Sequence, residues 1–164
     1  PAHPAGQAAV RYTRPPWLAP PSPAAPRPRP GGRSGLPVVD ASGLVGQVSR
    51  VYTRSSEVTQ VSSPEQLTPV FVERTGQRGL AAGIGQGRLE LRYMPAHTDI
   101  RPGDRLLTSG IDRVYPAGIP VGQVSRVSRS QASPYLRVEC LPLAGLDRSR
   151  AVLVLIAEPQ VTTP

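Results

Sequence analysis

Lysine is missing altogether: all 19 basic residues are arginine. Such one-sided usage points to a GC-rich coding sequence more than to a selected binding surface. Cysteine occurs once, at Cys140, which excludes an internal disulfide. A lone thiol inside the largely apolar run 136–143 is expected to pack as a small hydrophobe. A nucleophilic role would need an imidazole held against it, and His97 lies in a Pro-flanked, loop-like stretch with nothing nearby to orient a base. Aromatic residues make up only 4%, Phe71 and Trp17 each being the sole residue of its type. Any core must therefore rest on Val, Leu and Ile. No stretch approaches the roughly 20 apolar residues that cross a bilayer, and no basic-then-apolar signal segment opens the chain, so as given it is expected to be soluble. It begins with Pro1 and not Met, as a fragment or a processed form would, and the absence of an anchor here says nothing of the parent protein. No grouping of His, Cys and acids has metal-ligand spacing, and no cofactor is expected.

What the chain does have is uneven. The formal net charge of +8 divides into +5 over residues 1–39, which hold five Arg and no acid, and +3 over residues 40–164. A basic balance argues for nucleic acid or an acidic polymer only where charges cluster, and the later part is only mildly basic. Tyr52, Phe71, Tyr93, Tyr115 and Tyr135 are too scattered for a base-stacking platform, so no nucleic-acid partner is expected. Eleven of the 21 prolines fall within residues 1–37, including PPSPAAPRPRP at 20–30, which blocks helices and sheet ladders alike. Residues 1–35 are expected to be a disordered Pro/Arg-rich segment, residues 36–158 the folded part, and residues 159–164 a tail.

From Leu36 onward, short Val- and Leu-rich runs alternate with Gly, Pro, Ser and Asp, the texture of an all-β domain. The runs predict strands at 43–52, 58–61, 68–74, 88–93, 105–108, 121–127, 135–141 and 151–156. Ser63-Pro64-Glu65-Gln66 supports a single turn between strands. The heptapeptide VGQVSRV at 45–51 recurs letter for letter at 121–127. Alternation leaves neither face of such a strand purely apolar, which suggests a strand bent at its glycine, as at the corner of a small barrel. The fold class is thus mostly β, with one or two small β-barrel subdomains. The second half is centred on about residues 73–128 and the first half is drawn from the flanking segments.

The most pointed motif runs from Asp99 to Gly122. Pro102-Gly103 has the chemistry of a type II turn, so a strand should begin near Asp104 and stop at Ser109-Gly110. Pro116 and Gly118 then give a second reversal. Asp104 beside a turn glycine is expected to cap that turn, and Thr108 and Ser109 to bond to nearby backbone, in preference to forming a hydrolase triad with His97. The glycine-rich stretch 79–87 (GLAAGIGQG) lacks the Lys-Ser/Thr ending of a phosphate loop and precedes a strand, so a flexible hairpin is expected there.

Five stretches taken in order carry a family resemblance: VVDASGLVGQV at 38–48, GLAAG at 79–83, LEL at 89–91, DIRPGD at 99–104 with TSG at 108–110, and YPAGIPVGQV at 115–124. Together they closely resemble the MreC family of rod shape-determining proteins, in order and spacing as well as in letters, from about Leu36 to Ile156. The resemblance implies a membrane-anchored parent with a coiled coil and a pair of periplasmic β-barrels on the outer face of the inner membrane. It implies self-association, and links to MreB, MreD and a class B penicillin-binding transpeptidase. The role implied is non-enzymatic: a scaffold and regulator of the peptidoglycan elongation complex in cell-shape determination. A two-barrel serine hydrolase and a basic nucleic-acid-binding barrel are the alternatives. The residues singled out are architectural: Gly43, Gly46, Gly103, Asp104, Thr108, Ser109, Gly110, Pro116, Gly118 and Gly122. Residues 1 to about 34 match none of the family's opening elements and are expected to come from a wrong frame or a wrong start; the first barrel would then lack a strand and leave an edge exposed.

Overall fold

A computed structural model describes residues 35–53, 56–146 and 152–155. The disorder expected for the opening segment and the tail at 159–164 lie outside these residues, apart from Gly35. Among the described residues there are ten strands and no helix: β1 Pro37–Val39, β2 Leu44–Val51, β3 Ser56–Gln60, β4 Leu67–Val72, β5 Arg78–Gly85, β6 Arg88–Arg92, β7 Arg105–Thr108, β8 Pro120–Ser128, β9 Arg137–Pro142 and β10 Leu153–Val154.

Strands β4-β5-β6-β9-β8-β7 close into a six-stranded barrel, every neighbouring pair antiparallel. Its inside is aliphatic, as the scarcity of aromatics requires, with Val70, Val72, Leu89, Leu91, Leu106 and Val138 at 0–1% exposure. The other strands form an open sheet in the order β10-β1-β2-β3. Closure removes both edges of the barrel, whereas among the described residues the sheet keeps an edge at β3 and another at β10.

Two strands differ from the sequence expectation. Pro37–Val39 (β1) was not foreseen, because three residues are too few to show alternation. The stretch 79–87 is strand for most of its length: β5 runs to Gly85, and Gln86 (φ 53°) with Gly87 (φ 67°) makes a two-residue turn into β6. Positive φ at both central residues is the type I′ geometry that matches strand twist. Glycine is needed in β5 for close approach, since a Cβ on Gly83 would collide with the Ser63 carbonyl oxygen. The segment around Ser63 is the single turn expected there, closed by Gln66 N–H donating to Ser63 O at 2.9 Å.

The repeated heptapeptide occupies β2 and β8. Its irregularity lies three residues beyond the glycine: Ser49 drops out of register between Val48 and Arg50, and Ser125 between Val124 and Arg126. Each bulged Ser donates to the carbonyl of a partner-strand Glu, Ser49 to Glu57 at 3.3 Å and Ser125 to Glu139 at 3.0 Å. A bulge shifts the alternation by one residue, so Val124 and Val127, three apart, both pack on the barrel interior. The expected bend is therefore a bulge at Ser, while Gly46 serves close approach: a Cβ there would collide with the Thr59 carbonyl.

The duplication extends beyond the seven letters. Gly35 N–H donates to Val48 O at 2.7 Å and Gly103 N–H to Val124 O at 2.8 Å. Val48 N–H reaches Leu36 O, and Val124 N–H reaches Asp104 O, both at 2.8 Å. Gln47 donates to Gly35 O at 2.8 Å and Gln123 to Gly103 O at 3.1 Å. Gly35 and Gly103 share the same left-handed backbone, at φ 90° and 93°. The meander β1-β2-β3 thus repeats as β7-β8-β9.

Candidate functional site

The motif between Asp99 and Gly122 folds into turns at the two ends of β7. Pro102-Gly103 turns the chain into β7 with Asp104 N–H donating to Arg101 O at 3.1 Å, and φ 93° at Gly103 is the positive value that the third position of a type II turn demands. The carboxylate of Asp104, 7% exposed, accepts the Arg101 N–H at 2.9 Å, the expected turn cap. It also accepts two parallel hydrogen bonds from Arg74, Nε to Oδ1 at 2.8 Å and Nη2 to Oδ2 at 2.9 Å. The same guanidinium holds Asp99, Nη1 to Oδ2 at 2.9 Å. Arg101 approaches Asp99 from the outside at 3.3 Å. Arg74 hydrogen bonds hold both carboxyls below the usual carboxylate range, against the opposing effect of burial, and raise the guanidinium further.

At the other end of β7, the Thr108 hydroxyl, fully buried, donates to Pro116 O at 2.6 Å and accepts Ile119 N–H at 2.9 Å. Its backbone closes the same loop, with Gly118 N–H on Thr108 O and Thr108 N–H on Ile119 O, each at 2.8 Å. Ser109 N–H donates to Pro69 O at 3.0 Å and ties the loop to β4. Gly110 takes φ 71° with Ala117 packed where its side chain would be, and Gly118 takes φ 91°. Gly122 lies against the Leu141 carbonyl, which a Cβ would approach to 3.0 Å. Gly43 and Gly46 stand apart in the open sheet, although a Cβ on Gly43 would collide with the Pro120 carbonyl of β8. The structure therefore gathers eight of the ten singled-out residues around β7 and the start of β8 and leaves two in the other sheet.

Sequence reasoning missed Arg74 and the Gln47–Gln66 pair. Arg74 is 30 residues from Asp104, so no local spacing could reveal it. Gln66 donates to Tyr115 Oη at 2.6 Å and to Gln47 Oε1 at 3.2 Å. Burial pushes the Tyr115 phenol up to about 12, partly opposed by its hydrogen bond with Gln66. Cys140 lies in the barrel core at 1% exposure, as the sequence suggested, and burial pushes its thiol up to about 12.

Asp104 and Thr108 spend their polar atoms on backbone groups of the turns and on the ion pair with Arg74; no group of three His, Cys, Asp or Glu is arranged for a metal ion among the described residues. The fold defines a protein built on a small closed β-barrel beside an open sheet. Comparison with known families agrees: residues 29–156 match the model described as rod shape-determining protein MreC, barrel core, a match that starts a few residues before Leu36. The cell shape-determining protein MreC of Escherichia coli (strain K12) is 40% identical over 126 residues, 76% of this chain and 34% of that protein. A crystal structure of MreC from Pseudomonas aeruginosa superposes with a TM-score of 0.74 at 41% identity, over 76% of this chain and 81% of that one. MreC from Helicobacter pylori, solved in complex with penicillin-binding protein PBP2, shares the fold at a TM-score of 0.61 and 20% identity, over 78% of this chain and 82% of that one. The chain belongs to the MreC family of shape-determining proteins, and it spans about a third of the length of the curated E. coli relative.

Proposed function

We propose that this chain is the periplasmic β-region of a cell-shape protein that acts as a non-enzymatic scaffold and regulator of the peptidoglycan elongation complex. The observation that carries the proposal is the use made of the motif: Asp104, Thr108 and their neighbours spend their hydrogen-bonding groups on turns and strand ends, leaving a rigid barrel as the working part. The ten singled-out residues are architectural on this view. The partner is a class B penicillin-binding transpeptidase, supported by the H. pylori relative having been solved with PBP2. Self-association accompanies it, and a longer parent protein supplies the membrane anchor and the links to MreB and MreD at the periplasmic face of the inner membrane. Among the described residues no helix is long and apolar enough to cross a membrane. The folded region is taken as residues 36–158, with residues 1–35 and 159–164 outside it.

The test is titration of the purified chain against the periplasmic part of the transpeptidase, followed by calorimetry, with sedimentation velocity of the chain alone. Saturable binding is expected. No heat of binding over a concentration range reaching about 1 mM, the weak end of specific association, would reject the partner.

A further inference from the structure

The two copies of the meander differ most in one place. In the first, β1 and β2 are joined by residues 40–43; in the second, β7 and β8 are joined by residues 109–119. The remaining hydrogen bonds of the two copies correspond, so the meander closes without the extra length. The longer connection must be kept for something else.

Its buried residues lead toward the open sheet. Tyr115, 3% exposed, and Ile119, 2% exposed, belong to one apolar cluster with Val39 of β1, Leu44 of β2 and Val61 just past β3. Next to that cluster runs a polar chain: the Tyr115 phenol accepts from Gln66, the Gln66 amide also donates to Gln47 of β2, and Gln47 donates to Gly35 O at the entrance of β1. Both protons of the Gln66 amide are thereby used, one on the barrel side and one on the sheet side. The loop is stiffened from within, since Asp112 Oδ1 accepts Val114 N–H at 3.2 Å and Tyr115 N–H at 3.4 Å. Close by, the turn at Gly43 lies so near the Pro120 carbonyl that no Cβ fits.

We propose that the β7–β8 loop, through Tyr115, joins Gln66 and Gln47 in a clasp that fixes the angle between the open sheet and the barrel so that the two turn as one body. An amide with two directional bonds penalises any rotation that breaks either of them, most at the buried Tyr115 bond, where no water can replace the partner, and less at the half-buried Gln47. The apolar cluster supplies adhesion but tolerates sliding; the polar chain selects one orientation. A partner held by one unit then sets the direction of the other. The inference stands on this geometry and does not depend on which partner the protein binds.

Spin labels at exposed positions in the two units, Arg50→Cys in β2 and Arg88→Cys in β6, allow the distance between them to be measured by pulsed electron resonance in the full chain. The parent is expected to give one narrow distance distribution. Gln66→Leu and Tyr115→Phe keep apolar bulk but break the chain, and roughly a doubling of the width is expected as a fixed contact becomes a hinge. Gln47→Ala, on a half-buried residue, should broaden it too and guards against a fold defect in the other two. Amide exchange protection in β4 to β9 must remain at the parent level for the broadening to count as hinge motion. A broad distribution in the parent, or one equally narrow in all three variants, overturns the proposal.

Discussion

Replacing Thr108 by Val removes one oxygen and almost no volume, so its cost isolates the turn's hydrogen bonding. The hydroxyl is fully buried and makes two bonds, to Pro116 O at 2.6 Å and from Ile119 N–H at 2.9 Å. The bond to Pro116 contributes about 1 kcal/mol net, and the buried Ile119 N–H left without a partner costs about 1–3 kcal/mol. Ile119 is 2% exposed, so water cannot take over its N–H, whereas the exposed Pro116 allows its carbonyl to be rehydrated. The sum is about 2–4 kcal/mol. For a folded region of this size, 1 kcal/mol corresponds to roughly 3–5 °C, so Tm should fall by roughly 6–20 °C. Thermal unfolding followed by circular dichroism, with urea titration to obtain the free energy, measures both quantities. Thr108→Ser, which keeps the oxygen, should lose clearly less. Should Thr108→Val melt within about 2 °C of the parent, a change below ~0.5 kcal/mol and typical of an indifferent surface site, the hydroxyl does not hold the turn.

Four further outcomes follow from the same geometry. Gly46→Ala should cost more stability than Gly122→Ala in urea titration, about 1–3 kcal/mol against less, because a Cβ at 46 meets a carbonyl head-on while one at 122 stays 3.0 Å away; equal costs would contradict this. Gly110→Val places a β-branched residue at φ 71° against Ala117 and should lower Tm markedly, an unchanged melt counting against it. Asp99 and Asp104 are held below their ordinary 3.8 by Arg74, so their contribution is complete above that value and lost as pH falls through the lower folded values; Arg74→Met should lower stability near neutrality and flatten that acid loss, and an acid profile parallel to the parent's would refute the assignment. Cys140, buried and with its thiol pushed up to about 12, should resist alkylation by iodoacetamide at pH 8 in the native chain and react once unfolded, native-state labelling at the unfolded rate being the contrary result.

Family membership and the mostly β class were legible from letters because both rest on local chemistry. Pro102-Gly103 can make few turns other than the one found, Asp104 caps it with its own neighbour's N–H, and Val- and Leu-rich runs between such turns become strands. Gly79–Gly85 was harder: its glycines resemble a loop, and they lie in a strand because Ser63 and the side chains of Leu91 and Met94 crowd that surface. The bend in the repeated heptapeptide was foreseen, but its position at Ser49 and Ser125 depends on which partner residue each strand meets, here Glu57 and Glu139.

Composition, turn residues and the exact repeat were enough to specify short strands, an aliphatic interior and a family, since each is decided within a few residues along the chain. The pairing of Arg74 with Asp104, the clasp through Gln47, Gln66 and Tyr115, and the closure of one sheet but not the other arose only when distant segments met in space. Such contacts depend on the register and packing of strands tens of residues apart, and nothing in the local order of amino acids records which side chains will face each other once the chain has folded.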